Sequence, residues 1–289
     1  MIVFLNGRFV PEEQALVSVF DRSFLYGDGL FETMRVLNGG IFRWEQHWRR
    51  LESGAAFLKI PLAASSASLR EAAGQLIARN ELPDGLLRLT LSRGIGRRGY
   101  SPKDASQPVL VMSCHAMPPA DSPRPPGWRL IVSSCRLPAD EPLAQFKTCN
   151  KLPQILARAE ADAAAADEAL LLNTAGFVVE ASSSNLFWID KDTICTPPLA
   201  SGVLPGVTRE AVLELCQRPG LAAREAPISA EALRAVQGVF LSLSSAGIVE
   251  CISLEGQLLS RSPWVKTVRT AYEDLLRQET LHQGARRPG

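Results

Sequence analysis

The stretch Phe146-Lys147-Thr148-Cys149-Asn150-Lys151-Leu152 joins two segments of different character. Residues 136–145, which precede it, include two prolines and two acidic residues and are typical of a loop. Residues 152–165, which follow it, are rich in alanine and leucine and predict a helix. A lysine at such a boundary can direct its amine into a cleft and form a Schiff base with a carbonyl cofactor. Most lysines are solvated, so this stretch alone favours an exposed and unreactive Lys147.

The composition is that of an ordinary globular protein. The chain has 289 residues, which suggests about two domains, and 46% of them are hydrophobic and 21% charged. Its 31 basic and 30 acidic residues leave a formal net charge of +1, so no electrostatic attraction to nucleic acid or to a membrane is expected. No apolar run has the length of a membrane span, and the first residues lack the features of a signal peptide.

The cysteines and histidines argue against a metal site. The six cysteines are scattered with no Cys-x-x-Cys pair, and there are only three histidines. Unpaired cysteines fit a reducing compartment, so we expect a cytoplasmic protein.

Periodicity predicts an α+β fold. Asn6-Gly7 between two apolar runs is a strong hairpin signal. Apolar spacings of three and four predict helices, and short apolar or alternating runs predict strands. The predicted helices are 44–59, 65–80, 152–165, 208–216, 229–236 and 263–279. The predicted strands are 30–37, 41–43, 86–93, 109–112, 129–134, 169–173, 177–180, 185–189, 239–242 and 248–252.

A proline-rich run predicts the domain boundary. Residues 118–127 contain five prolines, which neither a helix nor a central strand accommodates. We therefore predict a small α/β domain at 1–117, a linker at 118–127 and a larger, cofactor-binding domain at 128–289.

Four further features could carry chemistry beside Lys147. Glu180 ends a strand before a turn of small residues, where a carboxylate can face a cleft. Gly206-Val207-Thr208 begins a helix and offers backbone N–H groups and a hydroxyl to an anion. Ser244-Ser245 lies in a glycine-containing turn, and Arg50 lies on the first long helix. Each has a commonplace explanation by itself: a solvated charge, an ordinary helix start or a turn.

Together these features match the needs of one cofactor. Pyridoxal phosphate requires a lysine for its aldehyde, an acidic or other partner for its pyridine nitrogen, and several donors for its phosphate. The chain supplies each kind of group. They are Lys147, Glu180, Thr208, Ser244 and Arg50.

Five motifs in order resemble the fold-type IV pyridoxal-phosphate enzymes, from about residue 3 to about residue 275. That family includes branched-chain and D-amino-acid aminotransferases, R-selective amine transaminases and aminodeoxychorismate lyases. The motifs are Asp21-Arg22-Ser23-Phe24-Leu25-Tyr26-Gly27-Asp28-Gly29-Leu30-Phe31-Glu32, His47-Trp48-Arg49-Arg50-Leu51, Lys147-Thr148-Cys149-Asn150-Lys151-Leu152, Glu180-Ala181-Ser182-Ser183-Ser184-Asn185-Leu186-Phe187 and Leu204-Pro205-Gly206-Val207-Thr208-Arg209.

The resemblance implies a fold and a set of roles. The fold would be two-domain, with a pseudo-barrel of strands and flanking helices in the larger domain, and the protein would be a homodimer. Lys147 would bind the cofactor aldehyde and shuttle the proton, while Glu180 would pair with the pyridine nitrogen. The phosphate would be held by Arg50, Val207, Thr208 and Ser244 or Ser245. His47 is expected to be a buried packing residue, and the 21–28 run to be structural.

The loop Ser92-Arg93-Gly94-Ile95-Gly96-Arg97-Arg98-Gly99-Tyr100-Ser101 should distinguish the subgroups. A guanidinium of Arg93, Arg97 or Arg98, with Tyr100 nearby, could bind a substrate carboxylate, although a solvated basic loop is an equal alternative. Phe31 would form a wall of the pocket.

An aminotransferase moving an amino group from an amino acid or amine to a 2-oxo acid is the first interpretation. The loop and the Lys147-x-x-Asn150-Lys151-Leu152 pattern also resemble aminodeoxychorismate lyases, which eliminate pyruvate and form 4-aminobenzoate. Leu152 stands where branched-chain aminotransferases carry a tyrosine, and the loop lacks the histidine usual in the D-amino-acid type. A catalytically silent member is a third alternative, against which the complete constellation argues.

Overall fold

The computed structural model describes residues 1–117, 127–217 and 222–284. The chain divides into two compact units. The first comprises Met1–Ala120, Phe146–Asn150 and Leu276–Gly289, and the second Asp121–Gln145 and Lys151–Leu275. Residues 118–126 of the predicted linker lie outside the described residues, so the boundary read from the prolines stays a prediction. Among the described helices, none combines the length and the apolar character that a membrane span requires.

The first unit contains a six-stranded antiparallel sheet with the strand order β2-β1-β6-β5-β3-β4. Its strands are β1 (Ile2–Leu5), β2 (Arg8–Pro11), β3 (Gly29–Leu37), β4 (Gly40–Ile41), β5 (Gly85–Ser92) and β6 (Val109–Ala116). Its helices are α1 (Arg22–Tyr26), α2 (Trp44–Leu58) and α3 (Ser66–Arg79).

One face of this sheet forms the core of the first unit. Burial alternates along β3 and β5, as expected for strands with one covered face. Leu30 and Met34 of β3 and Leu87 of β5 are buried with Trp44 and Leu51 of α2. The opposite face carries the half-buried residues of both strands, and the Lys147 segment joins the sheet at one end of β3.

The second unit is built around a closed barrel of six strands. Its strands are β7 (Trp128–Leu137), β8 (Glu168–Asn173), β9 (Val178–Ala181), β10 (Asn185–Asp190), β11 (Thr193–Thr196), β12 (Ala222–Glu225), β13 (Gly238–Leu243), β14 (Gly247–Leu254) and β15 (Gln257–Leu258). The order β10-β13-β14-β7-β8-β9 closes because β9 also pairs with β10. The other strands extend this sheet at its margins.

Three helices accompany the barrel: α4 (Leu152–Ala163), α5 (Val207–Leu215) and α6 (Pro263–Gly284), of which the residues from Leu276 on belong to the first unit. Strands β8 and β13 are buried along their whole length, and β10 is buried up to its last residue, Asp190. That burial explains their nearly continuous apolar sequences. Short 3₁₀ turns occur at Glu12–Gln14, Pro142–Gln145, Leu199–Ser201 and Ala232–Ala235.

A few helices and strands of the structure differ from those that the periodicity predicts. The predicted strand 41–43 stops at Ile41 because Arg43 adopts φ 53° immediately before α2. The predicted helix 229–236 is reduced to the 3₁₀ turn Ala232–Ala235. Helix α1 was not predicted, since five residues are too few to show a period. It is defined by the Asp21 carboxylate, which accepts from the N–H groups of Ser23 and Phe24.

Candidate active site

The backbone around Lys147 is fixed by strand pairing in the first unit. The Phe31 N–H donates to the Lys147 carbonyl at 2.9 Å, and the Cys149 N–H donates to the Gly29 carbonyl at 2.8 Å. Lys147 therefore lies on a short strand-like extension beside the start of β3. Its Nζ is 4.7 Å from the centroid of the Phe31 ring. An amine held over an aromatic face has a defined position, which a solvated lysine lacks.

Arg88 lies over the same ring and was missed in the sequence. Its guanidinium carbon is 4.1 Å from the Phe31 centroid, and the side chain is half-buried on β5. Among the described residues, no carboxylate or other hydrogen-bond partner neutralises Arg88. Burial lowers the pKa of Arg88, an effect that the nearby Cys149 thiol partly opposes. Lys147 and Arg88 thus give the half-buried face of the sheet two cations beside one aromatic ring.

Arg50 lies on the buried side of the same sheet, in an ionic cluster. Its Nε and Nη2 donate to the Glu32 carboxylate at 2.8 and 2.6 Å, and His47 Nδ1 is 2.6 Å from Glu32 Oε2. Burial acts to raise the pKa of Glu32, but the charge and hydrogen bonds of Arg50 and His47 outweigh it and lower that pKa to about 2. Burial lowers the pKa of His47, although Glu32 opposes this. The phosphate role predicted for Arg50 stays a proposal.

Arg93 is held by acceptors of the protein itself, and its predicted role in binding substrate stays a proposal. Its Nε donates to Asp28 Oδ2 at 2.7 Å, and its Nη1 and Nη2 donate to the carbonyls of Lys59 and Leu58 at 3.1 and 2.8 Å. The side chain is buried, and all three nitrogens serve protein acceptors. An arginine in a glycine-rich run looks the same in sequence whether it serves a ligand or a neighbouring carboxylate.

The other loop residues predicted to bind substrate are exposed in the first unit. The Arg97 side chain is 85% exposed and pairs with Asp104 at 3.2 Å. Arg98 is also exposed, and Tyr100 is 87% exposed. The Tyr100 ring packs edge-on against Tyr26 with centroids 5.6 Å apart. Their role in binding substrate stays a proposal.

A row of polar side chains crosses three adjacent strands of the barrel. Glu180 of β9 is paired with Asn185 of β10, which is paired with Ser242 of β13. Glu180 Oε2 accepts from the Leu204 N–H at 3.1 Å, and Asn185 Nδ2 donates to the Leu204 carbonyl at 2.9 Å. The row therefore fixes the segment that leads into α5. Asn185 and Ser242 were not singled out in the sequence.

The N-terminus of α5 has the character of an anion site. Gly206 is its N-cap, and no side chain in the described part of the chain caps it. The first N–H groups of a helix have no intrahelical acceptor, and here they belong to the buried residues Val207 and Thr208. A Cβ on Gly206 would lie 1.9 Å from Asn185 Oδ1, so only glycine fits this close approach.

Buried hydroxyls without partners also fit a bound polar group. Ser242 Oγ and Ser184 Oγ are buried and have no hydrogen-bond partner among the described residues. Ser244 and Ser245 are half-buried in the turn between β13 and β14. The carboxylate of Glu180, the uncapped helix start and these hydroxyls suit a cofactor that carries a basic ring nitrogen at one end and a phosphate at the other.

A second buried carboxylate supports this region. Glu168, on β8, accepts hydrogen bonds from the hydroxyls of Ser182 and Ser183, the latter at 2.7 Å. It thereby holds the turn between Glu180 and Asn185. A glutamate in an apolar run is the sequence signal for such a residue, but the run alone does not show which turn it meets.

Similarity to known proteins identifies the family. The family model for amino-transferase class IV matches residues 29–254. A protein of Methanocaldococcus jannaschii, named provisionally as a branched-chain-amino-acid aminotransferase, is 34% identical over 261 residues, which are 90% of each chain. The crystal structure of the Escherichia coli branched-chain amino acid aminotransferase superposes with a TM-score of 0.90 at 27% identity and covers 96% of this chain and 95% of that one.

The chain is also similar to a lyase over nearly its whole length. The crystal structure of 4-amino-4-deoxychorismate lyase from Pseudomonas aeruginosa is 33% identical, with a TM-score of 0.82, and covers 96% of this chain and 98% of that one. The resemblance read from the five motifs and the predicted fold class are therefore confirmed. The chain is a member of the class IV aminotransferase family and has its two-domain, fold-type IV architecture.

Proposed function

We propose that the protein is a pyridoxal-phosphate-dependent aminotransferase that moves an amino group from an amino acid or amine to a 2-oxo acid. The observation that carries the proposal is the connection of Glu180 to the start of α5 through Leu204. It joins a carboxylate that would serve the pyridine nitrogen to a helix start that would bind the phosphate. Bound pyridoxal phosphate supplies the electron-accepting ring that makes the substrate's α-proton removable.

Residues of the chain would bind the cofactor and transfer the proton. Lys147 Nζ would hold the cofactor aldehyde and would take the substrate's α-proton as a general base. The Glu180 carboxylate would keep the pyridine nitrogen protonated. The phosphate would be held by the N–H groups of Val207 and Thr208, the Thr208 hydroxyl, Ser244, Ser245 and Arg50.

Arg88 is the residue that we assign to a substrate carboxylate. It is a half-buried cation without a described counterion, and it lies over the ring that also contacts Lys147 Nζ. A carboxylate bound there would neutralise a charge that the fold leaves partly desolvated. Phe31, whose ring both cations contact, would form a wall of the substrate pocket.

Replacing Arg88 with leucine should raise KM for a 2-oxo acid roughly 10- to 100-fold, because a charge-assisted pair is lost. KM for an uncharged aldehyde acceptor should change little. Initial rates with pyruvate and with such an aldehyde measure the contrast, and Arg70→Leu, in an exposed ion pair on α3, is the control. Equal losses for both acceptors would show that Arg88 does not bind the carboxylate.

One comparison tests the proposed reaction. The purified protein, loaded with pyridoxal phosphate, is given a panel of D- and L-amino acids and R-amines with 2-oxoglutarate or pyruvate. Aminodeoxychorismate alone is supplied in a parallel reaction. Amino-group transfer that requires the keto acid supports the proposal. Pyruvate released from aminodeoxychorismate without an acceptor would replace it with the lyase activity.

The aminodeoxychorismate lyase is the second candidate. It is favoured by the 33% identity to the Pseudomonas aeruginosa lyase over nearly the whole of both chains. The loop with Arg97, Arg98 and Tyr100 also supports it, because a substrate with two carboxylates needs cations beyond Arg88. A catalytically inactive member of the family is disfavoured because Lys147 and Glu180 are both present.

We also propose a homodimer in which the loop 94–101 contributes to the partner's pocket. Support comes from large apolar side chains exposed along one segment of the first unit, which is unusual for a monomer. They are Leu16, Val17, Val19, Phe20, Phe24 and Leu25. Light scattering should give twice the chain mass of 31.4 kDa, and Val19→Asp with Phe24→Asp should give a monomer. A wild-type monomer at micromolar concentration would contradict this assembly.

A cytoplasmic location fits the cysteines. All six lie within the described residues and none forms a disulfide there, as expected in a reducing compartment. Protein in a fractionated cell should be recovered with the cytoplasm, and recovery from a secreted or membrane fraction would overturn this assignment.

A further inference from the structure

The loop between β5 and β6 is held from inside by Arg22. The loop has almost no secondary structure of its own, yet three of its carbonyls converge on this one side chain. Arg22 Nη1 donates to the carbonyls of Gly99 and Ser101 at 2.9 and 3.2 Å, and Nη2 donates to that of Tyr100 at 3.0 Å. Arg22 is 3% exposed.

A carboxylate anchors this guanidinium from the other side. Arg22 Nε donates to Asp28 Oδ2 at 2.8 Å, and the same oxygen accepts from Arg93 Nε at 2.7 Å. Burial acts to raise the pKa of Asp28, but the hydrogen bonds and charges of the two arginines outweigh it, so the pKa lies below its usual value. The carboxylate is therefore ionised at neutral pH and fixes the orientation of the planar Arg22 guanidinium.

The neighbouring backbone is built to admit the arginine. A Cβ on Gly96 would lie 3.0 Å from Arg22 Cδ, and a Cβ on Gly94 would lie 1.8 Å from the Gln107 carbonyl oxygen. The Arg22 N–H donates to the Gly94 carbonyl at 2.9 Å. The glycines of this loop thus allow it to close around Arg22, while the side chains of Arg97, Arg98 and Tyr100 remain outside.

We propose that Arg22 is a positioning residue that fixes the backbone at Gly99–Ser101 and so sets where the loop presents its cations to a carboxylate of the substrate. This inference rests on the proposed function. Arg22 does not touch the substrate itself. Only a planar fork with several donors can serve three carbonyls and one carboxylate together, so lysine cannot replace it even though the charge is kept.

Arg22→Lys tests the proposal in two ways. Trypsin should cleave after Arg97 or Arg98 about five- to tenfold faster in the folded variant, because the loop opens more often. KM for 2-oxoglutarate, which carries a second carboxylate, should rise about tenfold while kcat stays within about twofold, because misplaced cations weaken binding and leave the chemistry intact. Arg70→Lys is the matched control and should change neither quantity.

Asp28→Asn is a second variant that leaves Arg22 in place. It removes the charge that orients the Arg22 guanidinium. The rate of cleavage and KM should both rise, as in Arg22→Lys, but by a smaller factor. The visible absorption of the cofactor-loaded variants should match that of the wild type, which shows that the lysine site is intact.

The outcomes separate the two proposals. Unchanged cleavage in Arg22→Lys would overturn the holding role, and faster cleavage with an unchanged KM would overturn the effect on substrate. A loss of kcat with an unchanged KM would also overturn it. If the wild type transfers no amino group, the proposed function fails, while the cleavage rates still decide whether Arg22 holds the loop.

Discussion

Replacing Lys147 with alanine should reduce transaminase turnover by roughly 10⁴-fold or more, because one change removes both the covalent attachment and the general base. The groups of the second unit that we propose hold the phosphate and the ring do not depend on this side chain. The variant should therefore still bind pyridoxal phosphate, with lower affinity. Steady-state rates and equilibrium dialysis measure the two effects separately.

Two further measurements sharpen this prediction. Lys266→Ala removes an exposed lysine on α6 and should leave turnover unchanged. Millimolar methylamine should restore part of the activity of Lys147→Ala, since a small amine can enter the vacated space and act as the base. Turnover of the alanine variant near the wild-type rate would refute the assignment of Lys147.

Glu180→Gln should lower kcat by about 10²- to 10³-fold, the range seen when one preorganised electrostatic partner is removed from an active site. Glutamine has nearly the same shape, and its oxygen can still accept from the Leu204 N–H. The fold and the start of α5 should therefore persist. What is lost is the negative charge that, in the proposed site, keeps the pyridine nitrogen protonated.

The control for this charge is Glu210→Gln on the exposed side of α5. Stopped-flow absorbance should show that the slow step in Glu180→Gln is removal of the α-proton, with a larger isotope effect for substrate deuterated at that carbon. If Glu180→Gln keeps wild-type kcat, the carboxylate does not serve the ring, and the frame formed by Glu180, Leu204 and α5 is only structural.

The elements of the site follow from local patterns in the sequence. The apolar and alternating runs at 30–37 and 86–93 predicted the strands β3 and β5, and the Gly206-Val207-Thr208 start of α5 was visible as a glycine followed by a helix. Lys147 could be singled out only through the other groups, because nothing in its own stretch distinguishes it from a solvated lysine. The family motifs supplied that context.

Three residues of the candidate site were not predicted, because their positions depend on how the strands pair. They are Arg88, Asn185 and Ser242. Arg88 is one basic residue in an alternating strand, and its place over Phe31 results from the antiparallel pairing of β3 with β5. Asn185 and Ser242 become neighbours of Glu180 only when the barrel closes. Register over such sequence distances is set by the packing of the whole sheet, so a single strand does not reveal it.

Arg93 shows that the sequence does not reveal the partner of a charged residue. Its loop is rich in arginine and glycine, and the pattern indicated a substrate guanidinium. The structure joins Arg93 and Arg22 to one carboxylate, Asp28, and the substrate role stays a prediction. Because an ion pair joins residues far apart in sequence, the sequence shows a cation but not what neutralises it.

Borohydride reduction tests the central claim most directly. The protein loaded with pyridoxal phosphate is reduced, unfolded and digested with trypsin, and the peptides are analysed by mass spectrometry. We expect the phosphopyridoxyl group on Lys147, in a peptide from Leu137 to Lys151 that trypsin leaves uncut at the modified lysine. A label on a different lysine, or no stable label on protein that binds the cofactor, would contradict the account.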